Sequence, residues 1–149
     1  MPRGAASEGV PQGGIAVAEL IRTTRGRPPK SIAPGMTSVL VIDDDPQLLD
    51  VVAALLGSLG YEPRTACGGV EGVESFRAEP TPIVVTDLRM PDKEGAETIR
   101  DLRDIRPDVR ILAISGAIAE ACELGADDVL AKPFTRRQLA DSMSALEAA

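Results

Sequence analysis

The chain of 149 residues predicts an α/β domain, a doubly wound five-stranded parallel sheet with helices on both faces. Three observations carry this. From Ser38 onward five short apolar runs alternate with five segments of helical spacing. The clearest runs are continuously apolar rather than alternating, which marks strands covered on both faces. Each crossover is long enough to be a right-handed βαβ unit.

Val39, Leu40, Val41 and Ile42 make the first strand, which gives way at once to Asp43, Asp44 and Asp45. Pro46 cannot continue a ladder but suits a first helical turn, and Asp45 before it is a good N-cap. Leu48, Leu49, Val51, Val52, Leu55, Leu56 and Leu59 then recur at helical spacing, with Gly57 and Gly60 marking the exit. Residues 61–66 read as a second strand and 70–76 as a second helix. Ile83, Val84, Val85 and Thr86 form a third strand that also ends on a carboxylate, Asp87. Pro91, Gly95 and their polar neighbours read as a loop before a third helix, whose Ile99, Leu102 and Ile105 face the core. Residues 109–114 give a fourth strand ending at Ser115 and Gly116. A short helix over 117–124 is stopped by Gly125, and residues 128–131 form a brief fifth strand. Lys132, Pro133 and Phe134 follow, and a last helix runs from Thr135, a plausible N-cap, to Glu147.

Composition narrows the function. Tyr61, Phe76 and Phe134 are the whole aromatic set, so the core is aliphatic and a nucleic-acid site built on base stacking is disfavoured. The net charge of -7 opposes general polyanion binding. It is unevenly spread: residues before Met36 carry Arg3, Arg22, Arg25, Arg27 and Lys30 against Glu8 and Glu19, a surplus of +3, and the remainder is -10. Residues 1–36 are rich in Gly, Pro, Ala and Ser and read as a disordered basic tail, with the domain at 37–149. Met36 stands directly before the first strand, which leaves open a translation start there. Cys67 and Cys122 have no CxxC spacing and the chain has no histidine, so a zinc site has nothing to use and the thiols read as buried and free. Without a membrane-length apolar run or a signal peptide, the expectation is a cytoplasmic, soluble protein.

In sheets of this kind ligands lie beyond the carboxyl ends of the strands, at the topological switch point. Asp43 and Asp44, Asp87, Ser115 and Lys132 each sit at such an end. A carboxylate cluster with a hydroxyl and an ammonium, and without histidine, suggests chemistry on phosphate beside a divalent cation. Asp43 and Asp44 are the paired metal binders, and Asp87, standing alone, is the candidate nucleophile for aspartyl-phosphate formation.

Four segments then resemble the motifs of the receiver domain of two-component response regulators. They are Val41-Ile42-Asp43-Asp44-Asp45-Pro46, Thr86-Asp87-Leu88-Arg89-Met90-Pro91, Ile114-Ser115-Gly116 and the stretch Gly125-Ala126-Asp127-Asp128-Val129-Leu130-Ala131-Lys132-Pro133-Phe134. The resemblance covers Met36 to the C-terminus, in order. It implies the flavodoxin-like strand order 2-1-3-4-5 and a cis Lys132-Pro133 bond. It also implies that Asp87 accepts a phosphoryl group from a histidine kinase or phosphotransfer protein. Asp43, Asp44, Asp87 and the backbone carbonyl of Arg89 would hold Mg²⁺, while Ser115 and Lys132 would engage the phosphoryl group. The protein would then be a stand-alone receiver that signals by phosphorylation-dependent protein binding through the fourth-helix and fifth-strand face. It would not be an enzyme beyond self-phosphorylation and slow self-dephosphorylation, because Ala117, two residues after Ser115, offers no polar group to position water.

Two departures from the family pattern stand out. The switch position three residues before the lysine, usually Tyr or Phe, is Val129. The step from Ser115 to Lys132 is 17 residues, short by more than one helical turn. Other readings remain open at this point. Arg25-Gly26-Arg27-Pro28-Pro29-Lys30 resembles an AT-hook core and would suit a DNA-associated regulator. A pseudo-receiver would keep the fold without phosphorylation. A haloacid-dehalogenase-like phosphatase also forms aspartyl-phosphate, but wants its nucleophile in an Asp-x-Asp on the first strand.

Overall fold

The computed structural model describes residues 36–148. The basic tail and its motif at residues 25–30 lie outside the described residues. The described chain runs β1 (Ser38–Asp43), α1 (Pro46–Ser58), β2 (Glu62–Cys67), α2 (Gly69–Ala78), β3 (Ile83–Asp87), β4 (Arg89–Met90), β5 (Lys93–Glu94), α3 (Gly95–Ile105), β6 (Arg110–Ser115), α4 (Ile118–Glu123), β7 (Asp128–Ala131) and α5 (Arg136–Ala148).

Five strands form one sheet in the order β2-β1-β3-β6-β7, all parallel. Numbered over these five alone, that is the expected 2-1-3-4-5. Its two faces are covered separately. Val39 and Val41 of β1, with Val85, Leu112 and Ile114, pack under α1 and α5. Leu40 and Ile42, with Val84, Ile111 and Ala113, pack under α2, α3 and α4. Alternate residues of one strand thus enter opposite cores, which is why β1, β3 and β6 read as unbroken apolar runs.

The helix ends follow local chemistry. Asp45 caps α1, its Oδ1 accepting from the Gln47 amide at 3.0 Å, and Pro46 opens the helix. Gly57 remains helical and the exit falls at Gly60, whose φ of +98° suits glycine. Thr135 and Gln138 form a reciprocal capping box at α5: the Gln138 amide donates to Thr135 Oγ1 at 3.1 Å and the Thr135 amide to Gln138 Oε1 at 2.8 Å. At Gly72 α2 lies so close to β1 that a β-carbon would meet Ile42 at 2.6 Å.

Two sequence expectations need correction. The segment expected as a plain loop before α3 holds a small antiparallel hairpin, β4 with β5, pairing Arg89 with Glu94 and Met90 with Lys93. Strands of two residues leave no periodic signature, so the pattern could not reveal them. The cysteines are free but exposed, not buried. Cys67 ends edge strand β2, where Ala66 takes the inward position, and Cys122 lies on the outer side of α4 beside buried Ala121. Among the described residues no helix is long and apolar enough to cross a membrane.

Candidate functional site

The acids, the serine and the lysine at the strand ends meet beyond the carboxyl edge of the sheet. Asp43 is the last residue of β1 and Asp87 the last of β3, 4% and 6% exposed, while Asp44 in the following turn is exposed. One carboxylate oxygen from each of the three lies within 4.8 Å of the other two. β1 and β3 are adjacent parallel strands, so their ends necessarily lie side by side.

Asp43 and Asp87 are each oriented by a main-chain donor, and Asp87 also by a cation. The Asp45 amide donates to Asp43 Oδ1 at 2.9 Å. The Arg89 amide donates to Asp87 Oδ1 at 3.3 Å, which brings the Arg89 main chain up to that carboxylate. Lys132 Nζ stands 3.6 Å from Asp87 Oδ2. Lys132 follows directly on β7, and its amide donates to the Ser115 carbonyl at 3.1 Å, tying the ends of β6 and β7 together. The Lys132-Pro133 bond is cis, as expected. Ser115 is 3% exposed, and its Oγ accepts from the Ala117 amide at 2.9 Å at the entry to α4.

Burial pushes the Asp43 carboxyl up to about 6, with the Asp87 charge adding to the rise and the Asp45 amide and Lys132 opposing it. Like charges crowded into a half-buried crevice are what a hard cation relieves. Three carboxylates without nitrogen or sulfur donors fit Mg²⁺. Asp43, Asp44 and Asp87 are the residues that could hold it, together with the Arg89 carbonyl.

Other side chains are not legible in the sequence because their partners are far away along it. The Asp92 carboxylate accepts from the Gly69 and Val70 amides at 3.1 and 3.0 Å, capping α2 from the β4–β5 turn 22 or 23 residues downstream. Arg103 bonds the Val109 carbonyl, the Gly125 carbonyl and the Asp127 carboxylate, fastening α3 to the loops that lead into β6 and β7. Arg89 pairs with Glu120 of α4 at 3.2 Å across 31 residues.

A doubly wound parallel sheet with a carboxylate cluster and a lysine at its switch point defines the receiver class of α/β module. The family model for the response regulator receiver domain matches residues 39–144, and the chain belongs to that family. Among curated relatives it is 38% identical over 112 residues to the transcriptional regulatory protein AruR of Pseudomonas aeruginosa, covering 68% of this chain and 45% of the relative. It is 34% identical over 113 residues to the photosynthetic apparatus regulatory protein RegA of Cereibacter sphaeroides, covering 72% and 61%. The matched region thus spans about half the length of such relatives. Among solved structures, the chemotaxis protein CheY4 of Vibrio cholerae matches with a TM-score of 0.70 and 25% identity, covering 75% of this chain and 99% of that one. The receiver domain of a sensor histidine kinase from Pseudomonas aeruginosa PAO1 matches with a TM-score of 0.71 and 25% identity, over 77% and 100% of the two chains. That structure has a magnesium ion coordinated in its active site cleft.

Proposed function

We propose that the protein is a phosphoacceptor in a two-component phosphorelay, with Asp87 taking the phosphoryl group. The observation that carries this is the placement of Asp87, nearly buried, between the Asp43 and Asp44 carboxylates and the Lys132 ammonium at 3.6 Å. An oxygen of the Asp87 carboxylate forms the new bond to phosphorus, and the bond from phosphorus to the donor's imidazole nitrogen breaks. The donor is the phosphohistidine of a histidine kinase or phosphotransfer protein, and the product is an acyl phosphate. Lys132 neutralises one phosphoryl oxygen as a point charge and the Ser115 hydroxyl is available to a second. Asp43, Asp44, Asp87 and the Arg89 carbonyl would hold Mg²⁺, which when bound would supply charge neutralisation for an anionic donor approaching an acidic crevice. Free, exposed thiols suit a reducing cytoplasm.

The reading makes the protein a signalling module rather than a turnover enzyme. Ala117 presents no polar side chain to hold an attacking water, so the acyl phosphate is long-lived. Output runs through phosphorylation-dependent protein binding on the face formed by α4 and β7. Intact-mass measurement after incubation with acetyl phosphate tests the reading directly. A single phosphate adduct that requires Mg²⁺ and is lost in Asp87→Asn is expected. An adduct that persists in Asp87→Asn, or none in folded wild type, would defeat it.

A further inference from the structure

Helix α4 is lightly anchored. It has six residues, no side-chain N-cap, and Ala121 as its buried residue, while Ile118 at its start is 49% exposed. Two side-chain interactions tie its N-terminal half to the crevice: Ser115 Oγ with the Ala117 amide, and the ion pair of Arg89 Nη2 with Glu120 Oε1 at 3.2 Å. Arg89 and Glu120 both line a cavity of about 470 Å³ bounded by the β4–β5 hairpin, the start of α3 and α4. The side chains of Arg89 and Glu120 are 70% and 59% exposed. Such a pair is weak and readily exchanged.

Arg89 also belongs to the phosphoacceptor loop. It stands two residues after Asp87, and its amide already touches Asp87 Oδ1. Its guanidinium is therefore on a short, flexible tether beside the carboxylate that would be modified. We propose that Glu120 and a phosphoryl group on Asp87 compete for this one guanidinium, so that phosphorylation withdraws Arg89 from Glu120 and loosens α4. The inference rests on Asp87 being the phosphoacceptor. Charge and geometry decide the competition. A phosphoryl group brings close to two negative charges and oxygens matched to a guanidinium fork, against the single charge of a solvated carboxylate. The device supplies a link that β7 cannot. Val129 there is half-buried with no ring to move in or out.

Amide hydrogen exchange over residues 117–124, read beside intact mass, tests this on the full chain. Wild type, Glu120→Gln and Arg89→Gln are compared before and after acetyl phosphate with Mg²⁺. Before labelling, exchange in α4 should be about two- to fivefold faster in both variants than in wild type, the scale of an exposed ion pair. After labelling, wild type should rise to the rate of Glu120→Gln, which itself should not change further. Unlabelled Glu120→Gln exchanging like wild type would overturn the inference, as would labelled wild type with unaltered α4. A wild type that takes no phosphate would overturn the phosphoacceptor reading and this inference with it. Mass registers that failure before any exchange is read, so the two are distinguishable.

Discussion

Asp43→Asn should stabilise the metal-free protein at neutral pH although it removes a residue central to the site. The folded carboxyl titrates at about 6 instead of 3.8, chiefly because it is buried at the end of β1, with the Asp87 charge adding to the rise. At about 1.4 kcal/mol per pH unit the difference corresponds to roughly 3 kcal/mol, reduced to on the order of 2 kcal/mol by solvent reaching the open crevice. Between pH 4 and 6 the folded chain keeps a proton that the unfolded chain has released. Stability therefore falls as pH rises through this window, and the full penalty stands above it. Asparagine carries no charge at any of these pH values, and its Oδ1 still accepts from the Asp45 amide. In EDTA at pH 7.5 the variant should melt about 5–10 °C higher than wild type, and the gap should nearly close by about pH 4. Mg²⁺ should raise the melting temperature of wild type and lose most of that effect on the variant. Thermal unfolding across that pH series is the assay. A variant less stable than wild type at pH 7.5 in EDTA, or a gap independent of pH, would show that burying the Asp43 charge does not govern the stability of this crevice.

Two further outcomes follow from packing and capping. Gly72→Ala drives a methyl group to 2.6–2.8 Å from three carbons of Ile42, itself 1% exposed. Overpacking of about 1–3 kcal/mol exceeds the ~1 kcal/mol that alanine gains in a helix, so urea unfolding should show a net loss of roughly 1 kcal/mol; equal stability would mean α2 can shift outward freely. Asp92→Ala removes both side-chain bonds to the start of α2 and should cost about 1 kcal/mol near neutral pH. The Val70 and Gly69 amides hold the Asp92 carboxyl below the usual carboxylate range, so this contribution is present above that range and lost as the group protonates. Wild type and Asp92→Ala should converge in stability in acid, which unfolding at low pH would check.

The parallel architecture is legible because burial on both faces writes itself into β1, β3 and β6 as unbroken apolar runs. The site is legible for a related reason. Parallel strands all end on one side, so polar residues immediately after apolar runs are brought together whatever the intervening sequence. What leaves no trace in the pattern is long-range and polar. Asp92 caps a helix that begins 23 residues earlier, and the Arg89–Glu120 pair spans 31. Neither interaction has a period. The cysteines show the limit of reasoning from residue type: apolar character predicts burial, but a strand end alternates inward and outward, and Ala66 holds the inward place beside Cys67.

The short stretch between Ser115 and Lys132 separates what is fixed in this molecule from what is free to vary. Ser115 pairs in register with Ala131, and the Lys132 amide bonds the Ser115 carbonyl. The two side chains are therefore placed by the β6–β7 ladder and not by the helix between them. Residues can be missing from that crossover without moving either group relative to Asp87. The short crossover leaves α4 with one buried side chain and an exposed ion pair to the loop after Asp87. A helix held so lightly needs little free energy to shift. Making or breaking one charge-assisted hydrogen bond, worth about 1.5–3 kcal/mol, outweighs the ~1 kcal/mol at most that the exposed Arg89 tether supplies. If Asp87 is the phosphoacceptor, as proposed, this short crossover leaves Ser115 and Lys132 in place while making α4 sensitive to the charge on Asp87, without an aromatic side chain at residue 129.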